Sequence, residues 1–121
     1  IDGAWRMGRW SVDAEANGFS AETNGSGVTS GIVDNGEAEV RTFNIEGGYM
    51  IVANRWELVA GHSTEDADAW NEAETQTGLG VNRFFSGHDN KLQFSVIRTS
   101  DAGGVQGADS TDAYLQLQHA F

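Results

Sequence analysis

The chain has 121 residues, a formal net charge of −11 at pH 7, and neither cysteine nor proline. This length suits one ordinary domain, which we expect to span residues 1–121. The lack of cysteine excludes a disulfide framework, thiolate metal sites and cysteine nucleophiles. Eighteen acidic residues against seven basic ones argue against nucleic acid as a partner, because phosphate binding requires clustered Lys and Arg.

Two further features of composition bear on the class of protein. The missing proline suits a chain built mostly of hydrogen-bonded strands, where proline would remove a ladder donor. No apolar run approaches the roughly 20 residues of a membrane-spanning helix. The opening IDGAWRMGRW has no basic-then-apolar leader. We therefore expect either a mature product or a piece of a longer polypeptide.

Alternation of apolar and polar residues recurs along the chain, whereas helical spacing is hard to find. In the first strand, for example, Trp5 and Met7 fall on one face and Arg6 falls on the other. Strands are predicted, in chain order, within GAWRMG, RWSVDAEANGFSAE, TFNIEGGYMIV, NRWELVAGHS, TQTGLGVNRFF, KLQFSVIRTS and DAYLQLQHAF. This makes about seven strands in an all-β chain.

The connections between these strands alternate in length. Short ones are predicted at MGRW, ANRW and SGHDN, and long polar ones at TNGSGVTSGIVDNGEAE, TEDADAWNEAE and DAGGVQGADSTD. A soluble sandwich usually mixes its connection lengths between its two ends. An outer-membrane barrel has short periplasmic turns and long extracellular loops. The pattern therefore predicts an antiparallel meander that forms part of a transmembrane β-barrel.

Alternation alone is compatible with two structures. A soluble barrel turns its apolar row inward, and a membrane barrel turns the same row toward lipid and its polar row toward a wet lumen. Trp5, Trp10, Trp56, Phe85 and Phe121 lie beside short connections or the chain end, as in an aromatic girdle at the headgroups. Aromatic residues that close the bottom of a soluble barrel would give the same pattern. We favour the membrane barrel, with a soluble β-barrel or β-sandwich binding module as the alternative.

Three stretches, WELVAGHSTEDAD, GLGVNRFFSGHDNKLQFSVIRTS and AYLQLQHAF, resemble the closing strands of bacterial outer-membrane porins. The most similar family is that of the phosphate-selective porins O and P, and AWRMGRWSVDAEA is similar to a preceding hairpin of that family. The resemblance implies an outer-membrane location and contact with the lipid bilayer and lipopolysaccharide. It also implies passive diffusion of small hydrophilic solutes or ions, and a trimer of sixteen-stranded barrels. In such porins a final strand ending in Phe closes the barrel.

Two features depart from this pattern. The third residue from the end is usually apolar or aromatic in such porins, but here it is His119. Bacterial single-chain barrels have an even number of strands, with eight as the minimum. Seven strands leave two open edges, which a bilayer does not tolerate. We therefore expect residues 1–121 to be the C-terminal segment of a longer porin, whose upstream strands complete the barrel. The alternative is a chain that closes only with neighbouring chains.

Under the membrane hypothesis, the polar rows line the pore and the apolar rows face lipid. The predicted pore-lining residues are Arg6, Asp13, Glu15, Glu46, Arg55, Glu57, Lys91, Gln93, Gln116 and Gln118. The predicted lipid-facing residues are Trp56, Leu58, Leu79, Val81, Leu92, Phe94, Leu115, Leu117 and Phe121. Arg83 falls on the lipid-facing row near a short turn, where a long basic side chain reaches the headgroups. With so few bases, these residues give no support for anion selectivity.

Catalysis and metal binding find little support in the sequence. No Gly-x-Ser-x-Gly elbow and no P-loop occurs. Asp13 and Glu15 lie two apart on one strand, as paired carboxylates of a glycosidase do, but nothing else supports an enzyme. His62, His88 and His119 share no zinc-ligand spacing, and the acidic loop TEDADAWNEAE lacks the ligand spacing of an EF-hand. We expect no catalytic residue, no metal site and no cofactor.

Overall fold

The structure is a computed structural model that describes residues 1–22, 29–85 and 90–119. These residues form one seven-stranded sheet whose strands lie side by side in the order of the sequence. Every neighbouring pair is antiparallel. The strands are β1 (Asp2–Met7), β2 (Trp10–Glu22), β3 (Glu37–Val52), β4 (Trp56–Ala67), β5 (Glu74–Phe84), β6 (Asn90–Ser100) and β7 (Ser110–His119). The predicted all-β antiparallel meander is confirmed.

The connections alternate in length as predicted. At one end of the sheet, residues 8–9 join β1 to β2 and residues 53–55 join β3 to β4. At the other end, residues 68–73 and 101–109 form longer connections. The predicted SGHDN turn, with His88, falls mostly on residues 86–89 and so lies outside the described residues. The two ends of the sheet therefore differ in chemistry, with short turns at one and polar loops at the other.

Several strands extend further into the predicted loops than alternation indicated; β7, for example, begins at Ser110, within the predicted loop DAGGVQGADSTD. β3 begins at Glu37, five positions before the predicted Thr42, and β4 continues to Ala67. Polar residues at these positions pair across the two strands, for example Arg41 with Asp66. Arg41 also forms an ion pair with Glu39 on its own strand. The prediction that TEDADAWNEAE is entirely loop is therefore wrong, because backbone pairing continues where the side chains are polar.

Strand length is unusual for a sheet in water. Apart from β1, the strands have 10 to 16 residues, against a usual length of about 5–6 residues in globular proteins. A tilted strand needs about 9–11 residues to cross the hydrocarbon core of a bilayer. β2 to β7 all reach this length. Within the described ranges, no helix is long and apolar enough to cross a membrane.

The sheet is a single layer with almost no apolar core. Among the described residues, the buried apolar side chains are those of Ala38, Ala67 and Phe84. Large apolar side chains are instead exposed, and Leu79 and Leu117 keep 67% and 72% of their surface accessible. A sheet with one apolar face is stable only when that face is covered by another layer or medium. The fold therefore requires something outside this sheet to cover its apolar side chains.

Two long connections at the loop end pack against each other. The 3₁₀ turn Ala102–Gly104 between β6 and β7 places Gly104 against the indole of Trp70, which belongs to the connection between β4 and β5. The N–H of Gly103 donates to a carboxylate oxygen of Glu74 at 2.8 Å, and that of Gly107 donates to Asp101 Oδ1 at 2.7 Å. These contacts join neighbouring loops into one ordered unit.

This packing predicts different costs for two glycine substitutions in the same loop. Gly104 and Gly107 both have a positive φ, at 72° and 77°, so alanine at either position costs about 1–2 kcal/mol. At Gly104 a Cβ would also overlap the Trp70 ring, whereas at Gly107 it would meet nothing within 4 Å. We expect Gly104→Ala to cost a further 1–3 kcal/mol, approximately, through overpacking. Urea unfolding and limited proteolysis of residues 101–109 measure the difference, and equal effects of the two variants would contradict the packing.

Candidate functional site: the polar face of the sheet

Cross-strand pairing decides which residues share a face of the sheet. Directly paired residues lie on the same face, and successive residues along a strand alternate between faces. One continuous row of paired residues runs through Trp10, Tyr49, Leu58, Val81, Phe94 and Leu115. The row of opposite parity runs through Glu57, Asn82, Gln93 and Gln116. The sheet therefore has an apolar face and a polar face, each consistent from strand to strand.

The predicted pore-lining residues, with one exception, share the polar face. They are Arg6, Asp13, Glu15, Glu46, Glu57, Lys91, Gln93, Gln116 and Gln118. The exception is Arg55, which lies in the turn between β3 and β4 and belongs to no strand. Its backbone N–H donates to Val52 O at 3.0 Å, and its carbonyl accepts from Phe84 N–H at 2.9 Å. The prediction of Arg55 as a strand residue of the polar row is thus wrong, because hydrogen bonds of the turn hold its backbone.

The predicted lipid-facing residues share the opposite, apolar face as far as the structure describes them. They are Trp56, Leu58, Leu79, Val81, Leu92, Phe94, Leu115 and Leu117. Phe121 lies outside the described residues. Arg83 also falls on the apolar face, and its guanidinium carbon lies 4.6 Å from the ring centroid of Trp56 and 5.3 Å from that of Phe85. What covers the apolar face stays a prediction.

In β4, β5 and β6, exposure of the two faces is reversed relative to a soluble protein, whereas polar-face residues of other strands, such as Glu15 and Glu46, are exposed. Every exposed residue of β4, β5 and β6 lies on the apolar face, and the polar-face residues of these strands are half-buried or buried. Asn82 on the polar face is only 6% exposed. Side chains crowd on the concave side of a bent sheet and spread on its convex side. We conclude that the sheet bends around its polar face at β4, β5 and β6.

The bend creates a groove along the polar face. Its volume is about 390 Å³, and Asn44, Glu46, Asn82, Gln93 and Ser95 are among the residues that line it. Gly61, Gly78 and Gly80 also contribute to the lining, and the absence of side chains there leaves the middle of the face open. The groove is therefore open to solvent, and its lining is mixed, with Val59 and Ile97 beside the polar side chains.

Acidic residues dominate the polar face near β1, β2 and β3. Asp2 pairs directly with Glu15, and Asp13 pairs directly with Glu46. Arg6 is the one base in these three strands on this face, and its Nη2 atom lies 2.8 Å from both carboxylate oxygens of Asp13. Like charges placed directly opposite each other destabilise a sheet. Exposure to water reduces this cost, because Asp2, Glu15 and Glu46 are all exposed.

A second cluster joins this acidic region across β2, β3, β4 and β5. Asn82 Nδ2 donates to Glu57 Oε2 at 2.9 Å, while the buried Asn82 Oδ1 has no hydrogen-bond partner. A Cβ on Gly48 would lie 2.5 Å from Ser11 Oγ and 2.8 Å from Glu57 Oε1. Gly48 is thus a notch in the face, over which the Ser11 and Glu57 side chains converge. The sequence analysis did not single out Ser11, Gly48 and Asn82. They fall in the same alternating rows as the predicted pore-lining residues, and this position was the signal that could have identified them.

The histidines do not assemble into a site. His62 Nδ1 lies 2.9 Å from the Thr77 hydroxyl on the apolar face, and His119 contacts the side chain of Asn90. His88 lies outside the described residues. In residues 1–22, 29–85 and 90–119, no group of three His, Asp or Glu side chains could hold a metal ion.

Comparison with known proteins adds no assignment. No protein-family model, no curated protein and no solved structure matches the chain. The resemblance to outer-membrane porins therefore stays a prediction, and functional inference has to start from the two faces of the sheet.

The notch at Gly48 predicts a face-specific effect of alanine. In Gly48→Ala the new methyl group displaces only the flexible ends of the Ser11 and Glu57 side chains, so we expect a loss in the free energy of unfolding smaller than the roughly 1–3 kcal/mol of rigid overpacking. Gly47→Ala is the matched control, because its Cβ points to the apolar face and meets only Ser11 O, at 3.7 Å. Urea unfolding of the folded protein measures both variants. Equal midpoints for the two would show that the Ser11 and Glu57 side chains do not occupy the notch.

Proposed function

We propose that the chain forms part of the wall of a transmembrane β-barrel in a bacterial outer membrane. In this proposal the polar face lines a channel for passive diffusion of small hydrophilic solutes or ions. One observation carries it: in β4, β5 and β6 the exposed residues all lie on the apolar face, while the polar-face residues of these strands are half-buried or buried. A membrane barrel has this arrangement, with an apolar outer band and a polar interior.

Burial energetics favour this proposal over a soluble barrel. Covering a Leu, Val or Phe side chain contributes roughly 1.5–3 kcal/mol, and a soluble barrel gains this by turning its apolar row inward. Here Leu58, Leu79 and Phe94 are 49%, 67% and 47% exposed on the convex side. Hydrocarbon would cover all of them without a second protein layer. A soluble binding module would have to bend the other way or cover this face with another domain.

The short-turn end of the apolar face supports an interfacial position. Trp10 and Tyr49 lie there with ring centroids 4.5 Å apart. The Arg83 guanidinium lies over the rings of Trp56 and Phe85 at this end of the face. Tyr and Trp favour the headgroup region, and a basic side chain near a strand end reaches the same region. This end would then face the periplasm, where such barrels have short turns.

The open edges of the sheet require further strands. The structure pairs β1 only with β2 and β7 only with β6, and nearly all residues of both edge strands are exposed. Unpaired backbone groups are not tolerated in hydrocarbon. We propose that further strands, from the same polypeptide or from neighbouring copies, close the barrel. The trimer and the lipopolysaccharide contact implied by the porin resemblance belong to this proposal.

The first test concerns the medium that covers the apolar face. We expect the purified protein to require detergent and to float with liposomes in a density gradient, because the convex apolar side chains need hydrocarbon. A chain that stays monomeric, folded and soluble without detergent would eliminate the membrane barrel. It would also favour the soluble binding module.

The second test separates the two faces at neighbouring positions of β6. Phe94→Arg places a charge on the outer row and should cost about 2–4 kcal/mol at mid-bilayer depth, which hinders insertion. Gln93→Arg places the same charge on the concave face, where water would solvate it. We expect Gln93→Arg to insert normally and to shift the ion selectivity of the channel toward anions in planar bilayers.

Gln93→Arg is the decisive variant of this pair. A soluble barrel also makes Phe94→Arg harmful, because Phe94 would then lie in a packed core. Only a channel predicts a change of ion selectivity at Gln93, which pairs with Asn82 and Gln116 across the polar face. Unchanged selectivity at Gln93, and also at Gln116, would mean that this face does not line a conducting pore.

A further inference from the structure

Positive charge gathers at the short-turn end of the sheet. Outward from the row that joins Trp10 to Leu115, this end comprises the described residues 7–10, 49–58, 81–85, 90–94 and 115–119. It holds four Lys or Arg residues and one acid, Glu57, whereas the other described residues hold three Arg and sixteen acids. A chain of formal charge −11 thus has one positive end. We call its four bases, Arg9, Arg55, Arg83 and Lys91, the basic rim.

The bases of the rim differ from the other three in their partners. Arg6, Arg41 and Arg98 each form an ion pair with an aspartate or a glutamate. Within the described ranges, no rim base forms an ion pair with a carboxylate. The Arg9 guanidinium donates to the carbonyl of Ile51 at 3.2 Å, which is a neutral partner. The charge of the rim is therefore not compensated by the described part of the chain.

Arg83 is the rim base that lies on the apolar face of a strand. Its guanidinium carbon lies 4.6 Å from the ring centroid of Trp56 and 5.3 Å from that of Phe85. The rings attract the guanidinium and position it, but they supply no oxygen to its five N–H donors. A planar guanidinium binds phosphate oxygens through two parallel hydrogen bonds. Arg83 is therefore a positioned donor of hydrogen bonds to a phosphate group.

Arg55 lies beside Arg83 at the same end of the sheet. The carbonyl of Arg55 accepts from the N–H of Phe84 at 2.9 Å, next to Arg83 in β5. The Arg55 side chain is exposed, in the turn between β3 and β4. A second base is therefore available at the place where Arg83 presents its guanidinium.

The surroundings of Arg83 fit a lipid better than a free ion. Arg83 pairs with Leu92, and Leu92 pairs with Leu117, so leucines continue the apolar row beside the guanidinium. Leu117 is 72% exposed. A phospholipid offers a phosphate group to the guanidinium and an acyl chain to the leucines. Inorganic phosphate offers only the first of these.

We propose that the basic rim binds the phosphate groups of anionic phospholipid headgroups, with Arg83 as its contact on the lipid-facing side. Trp favours the headgroup region, which places Trp56 at the depth that this contact requires. An anionic membrane surface also attracts basic residues close to it, so Arg9, Arg55 and Lys91 strengthen the binding through their charge. This inference rests on the proposed membrane barrel, and it names the lipid class that the short-turn end contacts.

The test is a titration of the complete protein in neutral detergent micelles with phosphatidylglycerol, measured by native mass spectrometry. We expect Arg83→Gln to raise the Kd for this lipid about fivefold, because one basic residue near an anionic surface contributes about that factor. The matched control is Arg98→Gln. Arg98 lies on the same face at the loop end, and its guanidinium is paired with Asp109 at 3.1 Å. This control should leave the Kd unchanged.

Two further variants separate the phosphate contact from a structural role of Arg83. Arg83→Lys keeps the charge and loses the planar fork, so we expect a Kd between those of the unmodified protein and Arg83→Gln. Arg55→Gln removes a charge from an exposed turn side chain, and we expect it to raise the Kd about twofold or more. Arg55→Gln decides the matter if Arg83→Gln does not fold.

Three results would overturn the inference. The first is an unchanged Kd in Arg83→Gln, or in Arg55→Gln where Arg83→Gln does not fold. The second is an equal rise in Arg98→Gln and Arg83→Gln. The third is binding of inorganic phosphate as tight as that of phosphatidylglycerol, which would make the rim an ion site.

These results are distinguishable from failure of the membrane barrel itself. A protein that inserts into phosphatidylcholine bilayers and conducts, without preference for phosphatidylglycerol, keeps the proposed function and loses the lipid contact. A chain that is folded and soluble without detergent loses both.

Discussion

The structure depends on one ladder of backbone hydrogen bonds, because a single sheet without a second layer has no core to hold it together. The described side chains bury almost nothing apolar, so order comes from six antiparallel pairings and from whatever covers the apolar face. The alternation of side chains along each strand then determines which residues lie on each face of the sheet. A register shift of one residue in any strand would move its apolar residues to the polar face and its polar residues to the apolar face. Each face therefore stays uniform only while the register is correct.

This constraint explains how a face can be strongly acidic in a stable sheet. A compact soluble core would not tolerate Asp13 opposite Glu46, because burial raises the cost of uncompensated charge. A solvent-exposed surface tolerates such a pair, since water and mobile ions screen the carboxylates. Glycine residues also leave space on the polar face. Gly48 leaves room for Ser11 and Glu57, and Gly80 approaches Phe94 O so closely that a side chain there would be crowded. The small residues keep the polar groove open.

Much of the topology could be predicted from the sequence, because the two-residue alternation of apolar and polar residues and the unequal lengths of the connections can be read from it directly. The separation of Leu79 and Gln93 onto opposite faces follows from parity alone, and the register shows the same separation. The ends of β3 and β4 could not be predicted, because polar residues such as Arg41 and Asp66 pair through their backbones. The cluster of Ser11, Glu57 and Asn82 was also out of reach. Its members belong to three strands, and only lateral pairing brings them together.

The contact between Trp70 and Gly104 has a consequence for how the loop surface can evolve. Trp70 belongs to one long connection and Gly104 to the next, yet the indole occupies the space where any side chain at position 104 would lie. The two connections therefore do not drift independently, although loop surfaces are usually the most variable part of a protein. A lineage that acquires a side chain at position 104 has to lose the indole at position 70 first or at the same time. Related chains should accordingly show these two positions changing as a pair.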